Sequence, residues 1–200
     1  MRVRVFIDFW NFQLNWNDRM DPQKCDWRAL PRAIVAQAAL LLQPMGVAEP
    51  LVLEETLLYA SVDPTTETAL KEWLTNTIDR MPSYRVKIRE RQPQPKTIHC
   101  RACGSEFNQC TKCGTRYAPR PEKGVDAAIV TDLLSLACQR SYDLAILVSS
   151  DADFIPAVEY LQSAGLKVIN AGWSKRGHDL KRASWASFDL ERVAVNVTRK

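Results

Sequence analysis

Four aspartates carry the chemistry of this sequence. Asp8 closes the apolar run that begins at Val3 (VRVFID), and Asp151 and Asp153 follow the apolar run Leu144 to Val148 in LAILVSSDADF. Asp126 opens a third patterned stretch, KGVDAAIVTDLL. A carboxylate at the end of a buried strand is costly unless something pairs with it. Sites in parallel α/β sheets form at the carboxyl ends of the strands. Two such strands side by side would bring Asp8, Asp151 and Asp153 to one edge, with Asp126 approaching from a helix. Taken singly, each has a plainer use: Asp151 or Asp153 as a helix N-cap, Asp126 as a first-turn residue favoured by the helix dipole. Taken together they repel one another, and their pKa values climb unless a cation neutralises them.

Oxygen donors suit Mg²⁺ or Mn²⁺, ions that hold and polarise phosphate esters. Asp8, Asp126, Asp151 and Asp153 are therefore the candidates to hold such an ion. Asp132 lies six residues after Asp126, about 240° further round a helix; it is expected in solvent. His99 and His178 have no evident serine or cysteine partner, so no covalent nucleophile is expected.

A second set of residues reads Cys100-Arg-Ala-Cys103-Gly and Cys110-Thr-Lys-Cys113-Gly. CxxC spacing lets two sulfurs reach one ion, and the glycine permits the tight turn that follows. Four thiolates make a closed, structural site, best suited to Zn²⁺, though iron binds similar sets. The segment is too short and polar to fold around a core, so the metal would supply its folding energy. Cys25 and Cys138 fall outside the pattern and read as packing residues. Arg101, Lys112 and Arg116, with Phe107 and Tyr117, surround the cysteines. Bases stack on such rings and phosphates pair with such cations; equally, Phe107 could cover the metal.

The elements that must position these groups follow from periodicity. Arg2 to Asp8, Leu51 to Ala60, Tyr84 to Arg89, Leu144 to Val148 and Lys167 to Asn170 read as strands. Trp27 to Leu42, Thr65 to Arg80, Val125 to Cys138 and Phe154 to Ala164 read as helices, and a basic loop and final helix follow Ser174. In Thr65 to Arg80, Ala69, Trp73 and Ile78 are placed inward. Alternating strands and helices argue for an α/β three-layer fold with a parallel sheet. Residues 92–121, bracketed by prolines, read as a small insert within one domain spanning 1–200. Between Arg80 and Lys123 there are eleven Lys/Arg against three Glu, a net +8, leaving −4 elsewhere in a chain of net +4. That segregation points to a polyanion partner, nucleic acid first. The longest apolar run, Ala33 to Leu42, is too short to cross a bilayer, and Asp8 interrupts any leader-like stretch. No membrane contact and a cytoplasmic location are expected.

The stretches FIDFWNF, KGVDAAIVTDLL and YDLAILVSSDADFIPAVEYLQSAGLKV together resemble NYN domains, the LabA-like branch of the PIN-like nuclease superfamily. The resemblance runs through most of the chain in order. It implies a Rossmann-like sheet, an acidic pocket for Mg²⁺ or Mn²⁺ formed by Asp8, Asp126, Asp151 and Asp153 with Asn11 beside it, cleavage of RNA rather than DNA, and a homodimer. The chemistry expected with that resemblance is metal-dependent phosphodiester hydrolysis, in which Asn11 orients a water or a phosphate oxygen, Ser149 or Ser150 donates a hydrogen bond to phosphate, and Lys123 at the mouth, with Lys175, Arg176, Lys181 and Arg182, holds the substrate strand. The cysteine segment departs from the minimal family pattern. The alternative is an inactive module that grips RNA, or docks a protein, through the basic ribbon. An aspartyl-phosphatase pocket is disfavoured, because Phe-Trp-Asn follows Asp8 where that signature needs a second aspartate and a threonine.

Overall fold

Arg2–Asp8 (β1) is a strand because Val3, Val5, Phe6 and Ile7 are all buried, on both of its faces. That pattern belongs to the middle of a parallel sheet. In the computed structural model, which describes residues 1–199, β1 pairs in parallel with Val52–Val62 (β2) on one side and Leu144–Val148 (β4) on the other. Tyr84–Glu90 (β3) pairs with β2, Lys167–Gly172 (β5) with β4, and Ala186–Asp189 (β6) with β5, all parallel. The strand order is therefore 3-2-1-4-5-6. This is the doubly wound Rossmann arrangement, whose order reverses between β1 and β4.

Helices cover both faces. On one face, Phe9–Met20 (α1) and Leu30–Leu42 (α2) join Thr68–Trp73 (α3) with its continuation Leu74–Ile78. They enclose a core with Val3, Val5 and Ile7. On the other, Val125–Cys138 (α4) and Ile155–Ser163 (α5) pack on Phe6, Leu57, Tyr59, Ala145 and Leu147, and Leu180 of His178–Ala183 (α6) joins them. A short helix, Glu191–Ala194 (α7), returns to the first face. None of the helices among the described residues is long and apolar enough to cross a membrane.

The expected strands are found with ends shifted by no more than two residues, and the helix over Val125–Cys138 is found as read, but several particulars differ. A helix begins immediately after Asp8, with no loop between. Its Phe9, Phe12 and Trp16 enter an aromatic cluster with Trp27 and Trp173. Helix α3 is only six residues long and passes into a wide π turn. Ile78 is buried there, Trp73 is partly buried and Ala69 is exposed. The single helix expected after Ser174 is instead α6, β6 and α7 in succession. Cys25 is a packing residue, but Cys138, at the last position of α4, is exposed.

Between β3 and α4 the chain leaves the sheet. Its two legs bond to each other through Gln94 N–H to Pro119 O (2.9 Å) and Lys96 N–H to Tyr117 O (3.0 Å). Beyond them Ile98–His99 pairs antiparallel with Glu106–Phe107. At the root, Arg120 reaches Asp63 (3.6 Å) and Arg91 reaches Glu67 (3.6 Å), tying the excursion to the end of β2.

Candidate active site

Asp8 ends β1 at the point where the strand order reverses, and it is also the N-cap of α1. Its Oδ1 accepts from Asn11 N–H (3.2 Å) and its Oδ2 from the Ser149 hydroxyl (3.2 Å). The residue is 7% exposed. Burial, opposed by the Asn11 bond and assisted by the charges of Glu122 and Asp126, pushes the carboxyl up to about 7. Register explains the meeting with Ser149: Ile7 pairs with Val148, so the next residues of β1 and β4 emerge side by side.

The other aspartates converge in front of it. Asp151 caps the turn Ala152–Phe154, accepting from Asp153 N–H (2.9 Å), while its own N–H donates to the Ser149 hydroxyl (3.2 Å). Asp126 stands in the first turn of α4. One carboxylate oxygen from each of Asp126, Asp151 and Asp153 lies within 4.8 Å of the others. Partial burial and the charges of Asp151 and Asp153 raise the Asp126 pKa. Three hard oxygen donors so close together fit a divalent cation, which would offset their mutual repulsion. Asp8 stands apart from that group, more deeply buried, with hydrogen bonds on both oxygens.

Several side chains do other work than the sequence alone implies. Ser149 is 2% exposed and spends its hydroxyl on Asp8 and the Asp151 backbone, so it positions carboxylates and does not face a phosphate. Asn11 accepts from Ser150 N–H through Oδ1 (3.0 Å), bridging α1 to the β4 turn with its amide N–H₂ left over. Lys181 is engaged by Asp189 (2.6 Å) and the Trp173 carbonyl (2.9 Å), and its side chain is largely buried, so it ties α6 to β6. Asp132 is not in solvent: it is partly buried, accepting from Tyr59 O–H (2.6 Å) and Lys87 Nζ (2.5 Å). Neighbouring strands supply the partners that helix geometry alone does not reveal. Lys123, Lys175 and Arg176 are exposed. The loop bearing Lys175 and Arg176 rests on Ser150 through Gly177, where an added Cβ would meet the Ser150 Cα at 2.8 Å. Its base is fixed by Glu191, which accepts from the Ser174 hydroxyl (2.6 Å) and from Arg19 (3.2 Å).

Glu122 is the residue that sequence reasoning missed. Its charge acts on both Asp8 and Asp126; though the residue is exposed overall, partial desolvation of its carboxyl raises its pKa, and the nearby Ser61 hydroxyl works against that rise. A signal existed: it lies four residues before Asp126, directly after the insert.

In the insert, the two CxxC turns repeat one scheme. Gly104 N–H bonds Cys100 O (2.9 Å) and Cys100 N–H bonds Ser105 O (2.9 Å); Gly114, Cys110 and Thr115 do the same at 2.8 Å and 2.8 Å. Hydrogen bonding by Ser105 draws the Cys103 thiol down to about 7, and Thr115 lowers Cys113 similarly. All four thiols are free. Soft thiol donors in paired turns, Cys103 and Cys113 among them drawn toward the thiolate, fit Zn²⁺ by their chemistry. Among the described residues they come as two pairs, not as one group within 4.8 Å. Arg101, Lys112 and Arg116 are exposed around them.

This is a doubly wound α/β protein with an acidic site at its topological switch point. Its backbone is similar to a solved structure from Vibrio parahaemolyticus, VPA0982, a protein of unknown function. The TM-score is 0.55 at 15% identity, over 94% of this chain and 92% of that one. An uncharacterized protein of Sinorhizobium fredii, y4oD, is 45% identical over 47 residues, 24% of this chain and 22% of that protein. The chain thus spans under a quarter of that relative's length in the match. The NYN domain family matches residues 2–191, and the chain belongs to that family, within the PIN-like nuclease superfamily.

Proposed function

We propose that the chain is a divalent-metal-dependent nuclease that hydrolyses phosphodiester bonds in RNA. The observation that carries this reading is the meeting of Asp126, Asp151 and Asp153 within 4.8 Å at the strand-end switch point. A module that only bound phosphates would gain nothing from clustered carboxylates, which repel a polyanion. The three aspartates, backed by Asp8, would hold Mg²⁺ or Mn²⁺. Such an ion supplies charge neutralisation at the phosphate and acidifies an attacking water.

The chain's own residues do the rest. Asp8 and Ser149 fix the Asp151 turn. Asn11 keeps α1 against that turn and presents its amide N–H₂ to an incoming oxygen. Lys123, Lys175 and Arg176 flank the pocket with positive charge. Zn²⁺ in the CxxC turns would stiffen the insert, whose Arg101, Lys112 and Arg116 provide a second grip on RNA.

The test is cleavage of structured RNA, unstructured RNA and single-stranded DNA by wild-type and Asp8→Asn protein, each with Mg²⁺, Mn²⁺ or EDTA. RNA cleavage that needs the metal and is lost in the variant is expected. Undiminished cleavage by Asp8→Asn, or equal cleavage in EDTA, would sink the assignment.

A further inference from the structure

The edge strand β3 has a face that the site described so far does not use. Arg85, Lys87 and Arg89 alternate along it, so all three point to the same side of the sheet. That side is the one covered by α4, because Lys87 meets Asp132 of α4. An open groove of about 420 Å³ lies there between β3 and α4, lined by Lys87, Arg89, Lys123, Gly124, Ala127 and Asp132 among others. Its α4 wall runs from Gly124, two residues before Asp126, to Asp132. At 1.5 Å per residue that is about 12 Å along the helix. The groove therefore opens beside the acidic cluster and leads away from it.

Strand register gives the groove its direction. Asp8 pairs with Tyr59, and Tyr59 pairs with Lys87, so the three lie in one row across β1, β2 and β3. Arg89 lies one step further toward the carboxyl end, level with Ser61. Cations on an edge strand also discourage pairing with other chains, but that use needs no fixed side chain. Lys87 is fixed: Asp132, itself partly buried, accepts from both Lys87 and Tyr59. Arg89 is exposed and has no carboxylate partner among the described residues.

We propose that this groove is the track of the substrate's phosphodiester backbone on one side of the cleavage point. Lys87 and Arg89 contact successive phosphates of a single strand, and Asp132 is a positioning residue that holds Lys87 in place. The inference rests on the nuclease reading and adds the path by which the strand reaches the aspartates.

The experiment measures binding of a fluorescein-labelled oligouridylate by anisotropy, in EDTA so that nothing is cleaved, over a range of salt. The proteins are wild type, Arg89→Ala, Lys87→Gln/Arg89→Ala, Lys87→Arg, and an Arg28→Ala/Arg32→Ala control that removes equal charge from the opposite face, where α2 lies. Arg89→Ala breaks no ion pair and tests the track without threatening the fold. The groove double variant should bind about tenfold more weakly or worse. Its log–log salt slope should fall by about 1.4, at 0.7 per lost phosphate contact on a single strand. Lys87→Arg should retain the wild-type slope, and the control should lose less than twofold. Groove variants that match the control while wild type binds would overturn the track and leave the nuclease reading standing. A wild-type chain that binds no oligouridylate at any salt would overturn both.

Discussion

The strand-end aspartates and the cysteine insert are two candidate metal sites that the chain assembles by different means. The aspartates are positioned by a hydrophobic core. Val148 and Ile7 are fully buried, and their pairing forces Ser149 and Asp8 together whatever the carboxylates would prefer. Repulsion among the acids is a cost the fold absorbs. The cysteines have no such support: nearly every residue from Arg101 to Arg116 is exposed, and short hydrogen-bonded turns supply the order. One set of donors is assembled by the fold whether or not a cation binds. The other, if it takes a metal, would depend on that metal to become a single site.

The largest effect should come from breaking the preassembled site at its cation-facing edge. Asp151→Asn removes one of three clustered oxygen anions yet leaves an amide oxygen that can still accept from Asp153 N–H. Loss of several kcal/mol of transition-state stabilisation corresponds to about a thousandfold fall in cleavage rate, with the melting temperature and circular dichroism preserved. A rate within tenfold of wild type would show that the cluster is not where the chemistry happens.

The strain has a sign that pH can read. Asp8 titrates at about 7 in the folded chain against an ordinary 3.8. Between those values the unfolded chain has released the proton and the folded one has kept it. Metal-free stability therefore falls as pH rises through this window, by on the order of 4 kcal/mol, and the loss is complete above about 7. The raised values of Glu122 and Asp126 act in the same direction. Urea unfolding of wild type in EDTA should show that decline from about pH 5 to 8. Asp8→Asn should flatten most of it, and Mn²⁺ should restore wild-type stability at the alkaline end. A wild-type curve that is flat in EDTA would mean the carboxylates are not strained.

The two regions were also unequally legible in the sequence. Asp8 and Asp151 were readable because a continuous apolar run ending in a carboxylate has few uses outside a parallel sheet. The helix Phe9–Met20 was not, since its aromatics serve a cluster completed by Trp27 and Trp173, residues remote in the chain. Asp132 was misplaced because its partners Tyr59 and Lys87 come from strands whose register no local pattern reveals. Glu122 escaped notice for a similar reason. It looks like one more charge of a polar insert until Ser61 and Asp8 are seen beside it. The cysteine pairs, by contrast, were visible from spacing alone, because CxxC carries its geometry in four residues.

A smaller effect should come from the loop that carries Lys175 and Arg176. Gly177 has φ +61°, and an added Cβ would stand 2.8 Å from the Ser150 Cα. Gly177→Ala should therefore cost about 1–3 kcal/mol in backbone strain and contact, measured by denaturant unfolding. It should also lift the loop from the β4 turn, weakening RNA binding in EDTA without changing the metal dependence of cleavage. Unchanged stability would mean the loop relaxes freely and does not belong to the rigid site.

The smallest effect on the core should come from dismantling the insert. Cys110→Ser, or a zinc chelator that spares Mn²⁺, should unfold the two turns and erase the protection of the Gly114 and Cys110 amides from hydrogen exchange. The sheet should keep its stability to within about 1 kcal/mol, because the insert's turns are exposed and contribute no core residue. The informative reading is the cleavage rate on a short substrate. Glu122 follows the insert directly, but its surroundings do not depend on the thiols: Arg120 on Asp63, Arg91 on Glu67, and Ser61 at the end of β2. Those contacts should hold Glu122 beside Asp8 after the turns have melted, so the short-substrate rate should change less than about threefold while long RNA binds more weakly. A collapse of the short-substrate rate would show that the insert's ion and the acidic pocket form one coupled unit.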